Sequence, residues 1–293
     1  MRVAMLHTRM RTEERLLVDA FEARGANVEL VDIRPEVFRL DDMSRWTQFD
    51  VVFDRSLSLT TSITTLRMLD MAGVRCVNHP DVVEVCSDKL RTTLALERAG
   101  VPNPRTRIAL SPEAALEAIR VMGFPVVLKP TVGSWGRMVS RINDMDAAEA
   151  IIEHRDVLGS VQHHVYYIQE HIDKPDRDLR VFVVGGEPIA AIARYSEHWV
   201  TNTARGGSAQ NEPLTDELVS LARRVHDAVG GDAIAIDLLE CPNRGLLVNE
   251  VNHSMEFRNS IATTGIDIPG RIVEHIMNST SVNTPSLTGV LAS

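Results

Sequence analysis

The chain has 293 residues, 44% of them hydrophobic, with 31 Lys and Arg against 40 Asp and Glu for a formal net charge of -9. That length supports a large core and about two or three domains. The acidic balance argues against general binding to nucleic acid or to an anionic membrane, so an acidic partner would have to meet a local basic patch.

Cys76, Cys86 and Cys241 are odd in number and lack C-x-x-C spacing, which argues against zinc or a disulfide framework and for buried structural thiols. The apolar start, Met1 to Leu6, is broken at once by His7 and Arg9. It is too short for a signal peptide or a membrane span, and a cytoplasmic protein is expected.

Val3 to Leu6 reads as a buried strand, followed by an amphipathic helix from Thr12 to Arg24 with the Thr12 hydroxyl as its N-cap and Gly25 at its end. Further apolar strands at Val28 to Val31, Val51 to Asp54 and Val74 to Val77, separated by helical stretches including Thr64 to Ala72, give the pattern of a parallel α/β layer that ends near Ser87. G-x-G-x-x-G and G-x-x-x-x-G-K-[ST] are both missing from it, so neither dinucleotide nor P-loop chemistry is supported.

A helix from Lys89 to Ala99 stops at Gly100, and Ser111-Pro112-Glu113 caps another that runs to Met122. Pro125 to Pro130 is a buried strand that ends on Lys129. Such a lysine is more often a snorkelling edge residue than a ligand. Here, however, it precedes Thr131-Val132-Gly133-Ser134-Trp135-Gly136-Arg137, a loop able to close over phosphate oxygens. After a helix from Asp146 to His154 comes the strand Tyr166 to Ile172. A hairpin then places Arg180 and Arg194 on its two arms, where both could be solvated edge residues. Val200 to Gly207 reads equally as a plain loop or as an anion site.

The helix Asp216 to Val229 leads to a second hairpin, A-I-D-L-L-E, a Pro-Asn-Arg-Gly turn, and L-L-V-N-E-V-N. Residues two apart on a strand share a face, so Glu250 and Asn252 point the same way. If register adds Asp237, three oxygen ligands converge, a set suited to Mg²⁺. Three polar residues at strand ends are an equally plain reading. Glu256 to Ser260 and Thr263 to Gly265 form a polar run, Ile268 to Met277 a closing helix, and the Ser/Thr/Asn-rich tail from Asn278 reads as disordered.

Lys89, Lys129, the Gly-rich loop, Gln169-Glu170, the paired arginines and then Asp237, Glu250 and Asn252 occur in an order that resembles the ATP-grasp superfamily, more closely its RimK-like carboxylate-amine ligases. The runs V-V-L-K-P-T-V-G-S-W-G-R, V-T-N-T-A-R-G-G, L-L-V-N-E-V-N-H and T-T-G-I-D-I-P-G resemble the α-aminoadipate:LysW ligase family of carrier-protein lysine biosynthesis, over nearly the whole chain to about Met277.

The resemblance implies an α/β, three-domain ATP-grasp fold. Its parts are a pre-ATP-grasp domain (1–88), a central lid domain (89–168), a C-terminal domain with the metal and substrate site (169–280) and a tail (281–293). It also implies the site residues. ATP would lie against Lys89, Lys129, Gly133, Ser134, Trp135, Gly136, Arg137, Gln169, Glu170, Ile172, Asp178, Arg180 and Asn202. Two Mg²⁺ ions would sit on Asp237, Glu250 and Asn252. Arg194, Asn202 and Arg205 would bind substrate carboxylates and act in catalysis, with Glu256, Arg258, Asn259 and Ser260 also at the substrate.

The partner implied is an acidic LysW-type carrier protein whose C-terminal glutamate side chain is joined through an acyl phosphate to the amino group of α-aminoadipate. A homo-oligomer is implied as well. In this family an Asn-[Thr/Ser] pair after the metal ligands marks α-aminoadipate users and Gly-Phe marks glutamate users, and Asn259-Ser260 matches the first. The alternatives are a glutamate:LysW ligase of arginine biosynthesis, a RimK-like protein glutamate ligase and a non-enzymatic ATP-binding regulatory module. Retention of both lysines and all three metal ligands argues against the last.

Overall fold

The computed structural model describes residues 1–133, 136–199, 201 and 207–282. Three sheets organise them. The first is parallel, of order β2-β1-β3-β4. It is built from β1 (Arg2–His7), α1 (Thr12–Glu22), β2 (Asn27–Asp32), α2 (Ser44–Thr47), β3 (Val51–Asp54), α3 (Leu59–Met71), β4 (Cys76–Val77) and α4 (Pro80–Ser87). Val3 to Leu6 and Val51 to Phe53 are buried on both faces, which is why these strands read as unbroken apolar runs. Helix α1 is not capped by the Thr12 hydroxyl as the sequence suggests. Its N-cap is Arg11, whose backbone N–H donates to Glu14 Oε2 at 2.8 Å.

The second sheet, antiparallel and of order β5-β8-β6-β7, follows α5 (Lys89–Arg98). It contains β5 (Thr106–Ala109), α6 (Pro112–Met122), β6 (Val126–Lys129), β7 (Ser140–Ile142), α7 (Met145–Leu158) and β8 (Tyr166–Glu170), and it packs α6 and α7 over its own core of Ile119, Leu128, Ile152 and Ile168.

The third is also antiparallel, of order β11-β10-β9-β12-β13. Its members are β9 (Arg177–Val184), β10 (Glu187–Tyr195), β11 (Ser208–Glu212), α8 (Asp216–Val229), β12 (Ala233–Cys241) and β13 (Gly245–Asn252), followed by α9 (Arg258–Thr264) and α10 (Ile268–Val282).

Alternation along β9 divides the core. Leu179, Val181 and Val183 meet the apolar stripe of α8 formed by Leu218, Leu221, Ala222, Val225 and Val229. Phe182 and Val184 face the other way, into a cluster shared with Ile268, Ile272, Val273 and Ile276 of α10 and with Val3, Met5, Leu17 and Phe21 of the first layer. The N-terminal layer and the C-terminal sheet therefore share one core.

Two polar stretches are helical against expectation. The run from Arg258 forms α9, where the Thr263 and Thr264 hydroxyls donate to the carbonyls of Asn259 and Ser260 at 2.9 and 2.7 Å. Helix α10 continues past Met277, with Ser279 and Thr280 donating to His275 O and Ile276 O at 2.8 and 2.7 Å. Hydroxyls that bond back within the helix satisfy themselves without a polar loop. Residues 283–293, the rest of the expected tail, lie outside the described residues. Cys76 and Cys86 are buried and free, with thiols pushed up to about 12 by burial, whereas Cys241 is partly exposed. No helix among the described residues is long and apolar enough to cross a membrane.

Asn78, just after β4, joins the two layers. Its amide donates to Ala233 O (2.8 Å) and His253 O (2.7 Å) and accepts from the N–H groups of Asp232 (2.7 Å) and Ala233 (3.1 Å), in a site where Asn78 is 4% exposed. Asn78→Ala leaves these buried backbone groups without partners, and at about 1 kcal/mol per bond it is expected to lower unfolding stability by about 2 to 4 kcal/mol. Urea denaturation checks this; an unchanged midpoint and slope would show that the joint contributes nothing.

Candidate active site

The cleft at the meeting of the three sheets has a volume of about 380 Å³. Its floor is a row of charges. Asp178 and Arg180 on β9, Arg194 on β10 and Asp237 on β12 continue the alternation of Phe182, Ile192 and Ala235, and so emerge on the face that the N-terminal layer covers. Register does the rest. Arg180 lies opposite Asp237, Asp237 opposite Glu250, and Arg194 opposite Asp178.

Arg180 grips Asp237 with two bonds, Nε to Oδ1 at 2.7 Å and Nη2 to Oδ2 at 2.8 Å, while Arg194 donates to Asp178 at 2.7 Å and approaches Asp237 at 3.3 Å. Burial alone would raise the Asp237 pKa, but the two guanidiniums outweigh it and hold the carboxyl at about 2. Both arginines are thus partnered in the interior rather than solvated at an edge.

Two carboxylates and an amide, Asp237, Glu250 and Asn252, stand together, with Asn252 Nδ2 3.5 Å from Asp237 Oδ2. A flip of the Asn252 amide turns its oxygen toward the carboxylates. Hard oxygen donors in this number fit Mg²⁺, which keeps waters and takes further ligands from phosphates. Residues 237, 250 and 252 are therefore the set that could hold it.

Two lysines face this set, Lys89 from the start of α5 and Lys129 from the end of β6 in the central sheet. Lys89 Nζ donates to Gly133 O at 2.7 Å and lies 3.7 Å from Glu250 Oε1. Lys129, 9% exposed, is depressed to about 8 by burial. Gly133, Gly136 and Arg137 line the cleft. Gly133 adopts φ +156°, and a Cβ there would lie 3.1 Å from Pro130 Cγ, so the loop requires glycine at that point. Ser134 and Trp135 lie outside the described residues, as do Asn202 and Arg205.

Gln169, Glu170 and Ile172 line the cleft, but the Gln169 side chain is engaged with Lys129, and the Glu170 carboxylate is held by Arg105 and Arg244. Asp178 lines it as the partner of Arg194.

Glu256 reaches the cleft, 3.4 Å from Arg11 Nη1. Arg258, Asn259 and Ser260 are not brought to its wall, because α9 begins there. Arg258 and Asn259 are exposed on it, and Ser260 is buried with its backbone N–H on Phe257 O. Sequence reasoning missed Arg11, Lys174, Asn249 and His253, which also line the cleft. Asn249 and His253 flank the metal hairpin motif, and Lys174 follows the same strand as Gln169, so proximity to those motifs was the available signal.

A family model described as the RimK-like ATP-grasp domain matches residues 86–276, and one described as the LysX preATP-grasp domain matches 3–85. The chain is 35% identical to a Glutamate–LysW ligase ArgX from Sulfurisphaera tokodaii, covering 96% of this chain and 100% of that one. To an Alpha-aminoadipate–LysW ligase LysX from Saccharolobus solfataricus it is 33% identical, over 90% and 96%. A solved RimK domain ATP-grasp protein from Sphaerobacter thermophilus superposes with a TM-score of 0.77 at 27% identity, covering 94% of this chain and all of that one.

With its pKa near 8, Lys129 loses its charge as the pH rises through that value. Affinity for a polyphosphate ligand is therefore expected to fall above about pH 8, and Lys129→Arg, which keeps its charge there, to lack that limb. Titration of nucleotide binding across pH 6 to about 10 checks it; an identical limb in the arginine variant would assign the titration elsewhere.

Proposed function

The chain belongs to the RimK-like ATP-grasp family, and from that premise we propose that it joins the amino group of α-aminoadipate to the side-chain carboxylate of the C-terminal glutamate of a LysW-type carrier protein. It is an ATP-dependent, ADP-forming carboxylate-amine ligase that uses ATP and magnesium. The observation that carries the reading is the convergence of Lys89 and Lys129 with the oxygen set of Asp237, Glu250 and Asn252 in one cleft.

In the proposed reaction, Lys89 and Lys129 neutralise the triphosphate as point charges, and the 131–137 loop closes over it with backbone N–H groups. The set at 237, 250 and 252 would hold two Mg²⁺ ions, which when bound offset the charge of the transferring phosphoryl group. The carrier carboxylate takes the γ-phosphoryl group to give an acyl phosphate and ADP. The amino group then displaces phosphate, leaving an amide. Arg194, Asn202 and Arg205 are the residues we propose for binding carboxylates and stabilising the tetrahedral oxyanion. The buried ties of Arg194 to Asp178 and Asp237 would fix its guanidinium for that task. Water must be excluded because the acyl phosphate hydrolyses, which suits a loop of glycines acting as a lid. The division at 88 and 168, a homo-oligomer and a cytoplasmic location complete the proposal.

Asn259-Ser260 supports α-aminoadipate over glutamate. Because the pair sits in α9 behind Glu256, we propose that it acts by setting where Glu256 and the 254–257 segment stand in the cleft. The glutamate-using reading is favoured by one observation, the 35% identity to the ArgX relative.

ADP release with purified carrier and each amino acid separates the two: kcat/KM is expected to be higher with α-aminoadipate, and to be levelled or reversed by Asn259→Gly with Ser260→Phe. One methylene discriminates by only roughly 10- to 200-fold, which sets the scale of the difference. A wild type that prefers glutamate would install the alternative. In the same assay Glu250→Gln is expected to abolish turnover with little change in stability; wild-type ADP release at saturating Mg²⁺ would sink the metal assignment.

A further inference from the structure

Strand β13 does not run regularly. Asp237 is opposite Glu250 but its neighbour Leu238 is opposite Val248, so Asn249 is an extra residue with no partner across the pair, a β-bulge. Its effect is visible in the core. Val248 and Val251, three residues apart, both enter the cluster under α8, which strict alternation forbids. The consequence on the opposite face is that Asn249 and Glu250, adjacent in sequence, both line the cleft.

Asn249 Oδ1 accepts from Lys129 Nζ at 2.9 Å, and Gln169 Oε1 accepts from the same nitrogen at 2.6 Å. Gln169 is fixed within its own sheet, its Nε2 3.3 Å from the Tyr167 hydroxyl, which in turn lies 2.8 Å from Thr93 Oγ1. Asn249 comes from the other sheet. Lys129 stands on β6 and Asn249 on β13, so this bond crosses the cleft between the central and C-terminal sheets. An ammonium has three donors, and with two of them directed to amide oxygens the third is aimed by the first two.

Resting on the ligase reading above, we propose that Asn249 is a positioning residue: presented by the bulge, it reaches across the cleft to hold Lys129, so that the lysine meets the nucleotide phosphates in a fixed orientation. The bulge thereby makes one strand serve both partners of the nucleotide, with Glu250 for the cation and Asn249 for the lysine. Asn249 contacts neither substrate nor cation in this scheme and acts only through Lys129.

The test is a double-mutant cycle read as binding of a non-hydrolysable ATP analogue with Mg²⁺ by calorimetry, using Asn249→Leu and, as a smaller second variant, Asn249→Ala, each alone and with Lys129→Met. Thermal unfolding of each variant confirms that it is folded. In the Lys129 background either substitution is expected to weaken binding by about 10-fold, the scale of a hydrogen bond to a charged group. In the Lys129→Met background the further loss is expected to be less than about 2-fold, since there is no ammonium left to position. A merely structural Asn249 would weaken binding equally in both backgrounds. That result, or no loss in the Lys129 background, overturns the proposal while leaving the ligase reading intact. A wild-type protein that binds no nucleotide overturns both.

Discussion

Everything in the cleft depends on burying Asp237. An ionised carboxylate at 6% exposure is tolerated only with its charge answered, and here the answer is two arginines from neighbouring strands, one of them bidentate. That pairing requires β9 to lie between β10 and β12 in a register that sets Arg180 against Asp237 and Arg194 against Asp178. A slip of one residue on any strand would turn its charges into the apolar face beneath α8. The charge row and the hydrophobic alternation enforce the same register, and the same register places Glu250 opposite Asp237.

The electrostatics divide along the sheets. The C-terminal sheet supplies fixed negative oxygens, each tied to an arginine or a lysine. The central sheet supplies Lys129, whose burial has already lowered its hold on a proton, and the first turn of α5 supplies Lys89, held against Gly133 O. A polyanion with a divalent cation satisfies both sides at once, since its phosphates answer the lysines and its cation answers the carboxylates. This explains why two lysines and two acids can face one another across so small a volume.

Much of this was legible in the chain. The strands of the first layer, the hairpins at 177–195 and 233–252, and the lysine at the end of β6 follow from apolar periodicity and turn residues. The placing of Glu250 and Asn252 on one face followed from strand alternation. Proximity to Glu250 was the one signal for Asn249, since alternation assigns it to the face opposite Glu250 and only the bulge reverses that. The helical character of 258–264 and of 278–282 was hidden by Ser and Thr content, which signals a loop unless the hydroxyls have carbonyls of their own helix to bond. The ion-paired placing of the half-buried Arg180 and the buried Arg194 could not be read either, since an arginine looks alike at an edge and in an ion-paired interior.

The shared core of the first and third layers has a consequence for how the protein is made. Phe21, Met5 and Leu17 share a cluster with Phe182 and Val184 of β9 and with the apolar side of α10, the last helix of the described chain. The central sheet, by contrast, closes over its own residues. During vectorial synthesis the N-terminal layer therefore emerges with one face still waiting for segments that the ribosome has yet to produce, while the central sheet can cover its own core as it appears. The chain is thus built with one apolar face first and the helix that finishes its cover last.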